Sequence, residues 1–160
     1  MAITKSLGVI KFSYQYADIF DVVNLLTNEI AATILDGNGI PQTDELGISE
    51  DESYTVIQKM KDGADEVFIR LIKITNGIAD SVVLSNASVE CSIKDKQAYN
   101  ENVLNAIDRL IERAIINYII KDWFIDKKVI DHAKIYSDKY VANIQEIVKK
   151  SIQLRKPTLS

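Results

Sequence analysis

The clearest pattern in the chain is a set of apolar positions recurring at steps of three and four. Between residues 16 and 35, Ile19, Val22, Val23, Leu26, Ile30 and Ile34 keep that spacing, the signature of one buried helix face. The glycines of Asp36-Gly37-Asn38-Gly39 and then Pro41 end it, because glycine tolerates the left-handed backbone that closes helices. A loop is expected to about Ile48. A second helix opens at Ser49-Glu50-Asp51-Glu52, a Ser-x-x-Glu capping box, and carries Val56, Ile57, Met60, Ala64, Val67, Phe68, Leu71 and Ile74 to Thr75. Gly63 interrupts this run at roughly 1 kcal/mol against alanine, which makes a kink or break at Asp62-Gly63 an expectation to check.

The period then changes. Val89, Cys91 and Ile93 alternate with Glu90, Ser92 and Lys94, as in a half-buried strand, and Val82, Val83 and Leu84 are placed to pair with it across Ser85 to Ser88. An isolated hairpin is only marginally stable, so this one must pack on helices or pair with another strand, from the N-terminal segment or from a neighbouring subunit. In residues 1–13, Leu7, Val9, Ile10 and Phe12 follow neither period cleanly, and the segment reads as an extended arm with partial strand pairing. Two long helices close the chain, over residues 102–126 and 129–154, joined by a turn at Asp126-Lys127-Lys128 that permits only antiparallel neighbours. Tyr118, Trp123, Phe124, Tyr136 and Tyr140 fall at helical spacing along this hairpin and read as its packed seam rather than as a binding platform. The fold class predicted is therefore mainly α, a four-helix domain with a C-terminal helical hairpin and a small β-hairpin or strand insertion. It is read as a single domain over residues 1–160, with an N-terminal arm (1–13) and a C-terminal tail (153–160). No internal repeat is visible.

Composition adds bounds. With 160 residues, 47% hydrophobic and 26% charged, the chain matches a soluble globular domain able to bury a core without disulfides or metal. No apolar run approaches the roughly 18 residues of a spanning helix, and the N-terminus lacks the apolar centre of a secretory signal, so no membrane association and retention where the chain is made are expected. The lone Cys91 reads as a small buried hydrophobe.

Charge is more informative in its distribution than in its net value of −4. No Lys or Arg stands between Lys11 and Lys59, a span holding Asp18, Asp21, Glu29, Asp36, Asp44, Glu45, Glu50, Asp51 and Glu52, whereas Lys149, Lys150, Arg155 and Lys156 crowd the far end. Either this is solvated surface with cations suited to a helix C-terminus, or the acidic front and the basic tail meet between copies. The acidic front would repel phosphates, and the only basic cluster is terminal, so at most incidental contact with DNA is expected.

Catalytic chemistry has little to rest on. If Asp36 is set at the third position of a calcium loop, Asn38, Gly39 and Glu45 fall at the fifth, sixth and twelfth, but Ile34 then occupies the first and cannot ligate; a helix stop with a polar turn is the plainer reading. His132 is the only histidine and has no second ligand at metal spacing. There is no phosphate loop, nucleophile elbow or HExxH motif, and no catalytic residue, cofactor site or metal site is assigned.

The hairpin also carries a likeness. Ala114, Ile115, Tyr118, Trp123 and Phe124, then Asp131, Ala133, Tyr136, Tyr140, Ile144 and Ile147 before Leu154-Arg155-Lys156-Pro157, resemble the C-terminal half of head-to-tail connector proteins of tailed bacteriophages. The likeness covers about a third of the chain and consists of packing positions. It implies a non-enzymatic, mostly helical adaptor, assembled in the host cytoplasm and located in the virion neck. Such an adaptor forms a homo-oligomeric ring, commonly a dodecamer, between the portal protein and the tail or further neck proteins. It also implies partner contacts from the tail, Leu154, Arg155, Lys156 and Pro157, to which the charge pattern adds Asp44 and Glu45 on the acidic face. The long loop 36–48 and the strand segment 82–93 depart from the simplest connectors and leave the neck layer open. The alternative reading is a cytoplasmic helical regulator that binds a protein partner beside the last helix.

Overall fold

A computed structural model describes residues 2–6, 8–75, 78–94 and 100–152. In chain order the elements are β1 (Ala2–Ser6), β2 (Val9–Gln15), α1 (Tyr16–Thr33), a single-turn α2 (Thr43–Leu46), a 3-10 turn (Glu50–Glu52), α3 (Ser53–Thr75), β3 (Ile78–Leu84), β4 (Ser88–Lys94), α4 (Glu101–Asp126) and α5 (Ile130–Ile152). The protein is mainly helical, with four long helices and a small antiparallel sheet.

The sheet has the strand order β1-β2-β4-β3. The two halves of the expected 82–93 hairpin are β3 and β4, paired Val82 to Cys91 and Leu84 to Val89. The N-terminal segment, one of the two partners expected for this hairpin, pairs with it. The segment forms a second hairpin, turning at Gly8 (φ 75°), and β2 runs antiparallel to β4 with Phe12 opposite Cys91. Ile10, Phe12 and Tyr14 of β2 alternate onto the same inward face as Val89, Cys91 and Ile93 of β4.

The inward face of the sheet meets α3 and α4. The Tyr14 ring stacks on Phe68 of α3 with centroids 6.4 Å apart, and its hydroxyl donates to Asp108 Oδ1 of α4 at 2.7 Å. In α1 the fully buried positions are Ile19, Val23, Thr27 and Ala31, four residues apart, while Val22 is turned outward. Buried Thr27 is satisfied by donating to the Val23 carbonyl (2.7 Å) and accepting from Ile48 N–H (3.2 Å). The helix stops at Thr33, two residues before the expected Leu35, because Leu35 pairs with Pro41 across the following loop.

The capping box forms as its residues require. Ser49 N–H donates to Glu52 Oε2 at 2.8 Å, and the next turn is 3-10 before α3 proper begins. The helix α3 then runs unbroken through Gly63, so no break falls at Asp62-Gly63. Gly63 is buried, and a Cβ built there would lie 2.7 Å from Tyr118 Cδ1 of α4. Its role is close helix approach. The turn between α4 and α5 closes the end of α4 through Lys127 N–H to the Trp123 carbonyl and Val129 N–H to the Phe124 carbonyl. Lys128 takes the left-handed conformation there (φ 60°), a position usually given to glycine.

Candidate interaction surfaces

The aromatic hairpin residues are interior. Trp123, Phe124, Tyr136 and Tyr140 are buried, and Tyr118 packs at the edge of the core. Trp123 reaches beyond the hairpin: its indole Nε1–H donates to the Leu46 carbonyl at 2.8 Å, fastening α2 to α4. Phe124 packs against Tyr136 and the His132 ring, with centroids 6.5 and 5.7 Å apart. Tyr118 meets Tyr140 edge to face at 5.7 Å, and the Lys121 ammonium sits 4.0 Å above the Tyr118 ring. The Tyr140 hydroxyl is buried outside hydrogen-bond geometry to any acceptor among the described residues; burial, reinforced by the nearby Glu66 carboxylate, raises its pKa.

Two polar groups sit on apolar stripes. Lys59 of α3 is buried and donates to Asp122 (3.0 Å) and Asp126 (2.6 Å) of α4. Burial alone would lower its pKa, but the hydrogen bonds and charges of those carboxylates outweigh it and raise the value. No basic residue occupies the last turn of α4, so Lys59 also supplies the cation that its C-terminal dipole favours. Asp108, almost fully buried between Ile107 and Ile111, has its carboxyl pKa raised by burial, partly opposed by the Tyr14 hydroxyl bond. Both residues were detectable as charges on core-facing positions, at 56-59-60-63 and 104-107-108-111. Burial pushes the Cys91 thiol up to about 12, so it packs as a neutral hydrophobe.

The surfaces expected to meet partners lie elsewhere. Asp44 and Glu45 are exposed in the first turn of α2. In the preceding loop, Asp36 Oδ1 accepts from Asn38 N–H (2.7 Å) and Ile40 N–H (2.9 Å), so this oxygen is used in shaping its own turn. The tail residues Leu154, Arg155, Lys156 and Pro157 lie outside the described residues. One outer edge of the sheet is β3, where Val82 and Val83 are 39% and 45% exposed. A groove of about 470 Å³ opens where the end of α1 and α2 meet the α4–α5 turn, lined by Ile34, Gln42, Leu46 and residues 127–132. His132 Nδ1 in its wall is buried without a hydrogen-bond partner among the described residues. The alternative reading places a partner beside the last helix, but these walls could not be named from the sequence, because they come from segments some 80 residues apart or more.

Among the described residues, no group of three or more His, Cys, Asp or Glu is placed to hold a metal ion, and no helix is long and apolar enough to cross a membrane. No protein-family model, curated protein or solved structure matches the chain.

Proposed function

We propose that this protein is a structural adaptor that assembles into a ring between the portal and the tail of a bacteriophage, acting through subunit and portal contacts. The single observation that carries the reading is the outer edge of β3. The strand pairs on one side only among the described residues and exposes two consecutive valines, one on each face. Such an edge is a liability in a lone subunit and a joint in an assembly. The connector likeness of the α4–α5 hairpin supplies the setting. A second reading, a regulator that captures a protein partner beside α5, draws support from the groove at its start and the unpartnered His132 nitrogen.

The test is incorporation. Purified protein is mixed with tail-less particles that display a portal, and uptake is read by sedimentation and electron microscopy. A ring at the portal vertex is expected, weakened by Val83→Lys on the β3 edge. A protein that stays off such particles while remaining folded would refute the adaptor reading.

A further inference from the structure

The chain contains two Asn-Gly pairs, Asn38-Gly39 and Asn76-Gly77, and the second lies outside the described residues. Asparagine before glycine is open to reaction with its own backbone, because glycine has no Cβ to hinder the approach of its nitrogen. The glycine nitrogen attacks Cγ of the asparagine side chain. The N–Cγ bond forms, the Cγ–Nδ2 bond breaks, and Nδ2 leaves as ammonia with the proton that the glycine nitrogen gives up. A cyclic succinimide remains. Water then opens the ring at the side-chain carbonyl, giving aspartate, or at the main-chain carbonyl, giving isoaspartate. No electron is transferred, and water is the only co-reactant.

The surroundings of Asn38 leave one reacting group free and hold the other. Asn38 and Gly39 are exposed, and a Cβ built at Gly39 would meet nothing within 4 Å, so the Asn38 side chain has room to swing onto the next nitrogen. That nitrogen is engaged. Gly39 N–H donates to the Asp36 carbonyl at 3.0 Å. The Asp36 carboxylate holds the residues on either side, with Oδ1 accepting from Asn38 N–H at 2.7 Å and Ile40 N–H at 2.9 Å. Asp36 therefore grips three successive N–H groups, and the grip must open before the Gly39 nitrogen can lose its proton and turn toward Cγ. We propose that Asn38 is a site of spontaneous deamidation in the folded protein, with Asp36 as the clamp that sets its rate.

The modification reaches beyond the turn. Asp36 N–H donates to the Ile40 carbonyl and Gln42 N–H to the Ile34 carbonyl, both at 2.9 Å, and Leu35 pairs with Pro41 between them. Ile34 and Gln42 are also walls of the groove beside α5. Isoaspartate routes the main chain through the side-chain carbon and adds one atom to it, so the spacing by which Asp36 spans residues 38–40 is lost. Aspartate keeps the spacing and adds a negative charge to a front that has no Lys or Arg between Lys11 and Lys59.

The test incubates the full chain in mildly alkaline buffer. Peptide mapping by mass spectrometry, with enzymatic methylation to detect isoaspartate, follows position 38 separately from position 76. The native protein is expected to convert Asn38 slowly to both acids. Asp36→Ala removes the carboxylate, and loss of about 1.4 kcal/mol of local stabilisation raises the rate roughly tenfold. Circular dichroism checks that the variant stays folded, and in guanidinium, where no turn exists, native and variant chains should convert alike. Hydrogen exchange gives a reading that needs no substitution: Gly39 N–H in the native chain should be protected. An Asn38 that stays intact in the folded protein while converting in guanidinium would overturn the site. Equal rates for the two folded chains, the same acceleration in guanidinium, or an unprotected Gly39 N–H would each overturn the clamp.

Discussion

Replacing Gly63 by alanine sets two physical effects against each other. Intrinsic propensity favours alanine in a helix interior by about 1 kcal/mol, and α3 is a regular helix on both sides of this position. Packing opposes it. The new methyl carbon would stand 2.7 Å from Tyr118 Cδ1, 2.9 Å from Cγ and 3.2 Å from Cβ, where carbon atoms rest at roughly 3.5–4.0 Å. These atoms are at the base of the side chain, so a rotamer change at its tip gives no relief. Tyr118 is further restrained by Tyr140 at its edge and Lys121 above its face. Overpacking of this kind costs about 1–3 kcal/mol, so the net expectation for Gly63→Ala is a loss of up to about 2 kcal/mol. For a chain of this size that lowers the unfolding temperature by up to roughly 8 °C. Thermal and urea unfolding of Gly63→Ala, Tyr118→Ala and the double variant measure it. In the Tyr118→Ala background the steric opponent is gone, and the same Gly63→Ala change should become stabilising. A stabilising Gly63→Ala in the native background, or an equal effect in both, would refute the close-packing account.

Three further outcomes are expected. Because burial raises the Asp108 carboxyl pKa, the folded state holds more protons than the unfolded one between the ordinary carboxylate value and the raised value, so this residue's contribution to stability falls as pH rises through that window. Asp108→Asn keeps an acceptor for the Tyr14 hydroxyl without the charge, and should be more stable than the native protein at pH 7 by a margin that closes on acidification; urea titrations at several pH values check it, and a pH-independent margin would count against it. Lys128→Gly relieves a left-handed non-glycine backbone and should stabilise by about 0.5–1 kcal/mol in the same assay. Lys59→Met removes two charge-assisted bonds while sparing the burial of an ammonium, for a net loss of about 1–3 kcal/mol. Asp126→Asn should recover part of that loss by removing an acid from the end of α4, and a double-mutant cycle gives the coupling.

The helices were legible because each buries one stripe, and a stripe survives in the sequence whatever lies opposite it. The capping box at Ser49 and the β3–β4 hairpin were legible for the same reason: both are settled within a few residues. Partnerships across long separations were not. Gly63 reads as a weak point until Tyr118, 55 residues on, is seen occupying the space its side chain would take. Val22 has the right spacing for the core, yet Thr27 takes a buried place because Val23 and Ile48 satisfy its hydroxyl. For the interaction surfaces, the acidic front was visible as a run without cations, whereas the groove that the end of α1 and α2 form with the start of α5 depends on how the helices pack.

The central position of β2 bears on how the chain reaches its fold. Tyr14 meets Asp108 across 94 residues of sequence, and β2 pairs with β4 across separations that run from Gln15–Ser88 to Val9–Lys94. Contacts so distant in sequence close late, since the loop entropy must be spent before they return anything. The α4–α5 hairpin, whose contacts are local, has no such delay. Folding is therefore expected to start from the C-terminal half and finish when the N-terminal hairpin is captured. During synthesis β2 leaves the ribosome well before β4, and its apolar strand stays open to mispairing until β4 has emerged.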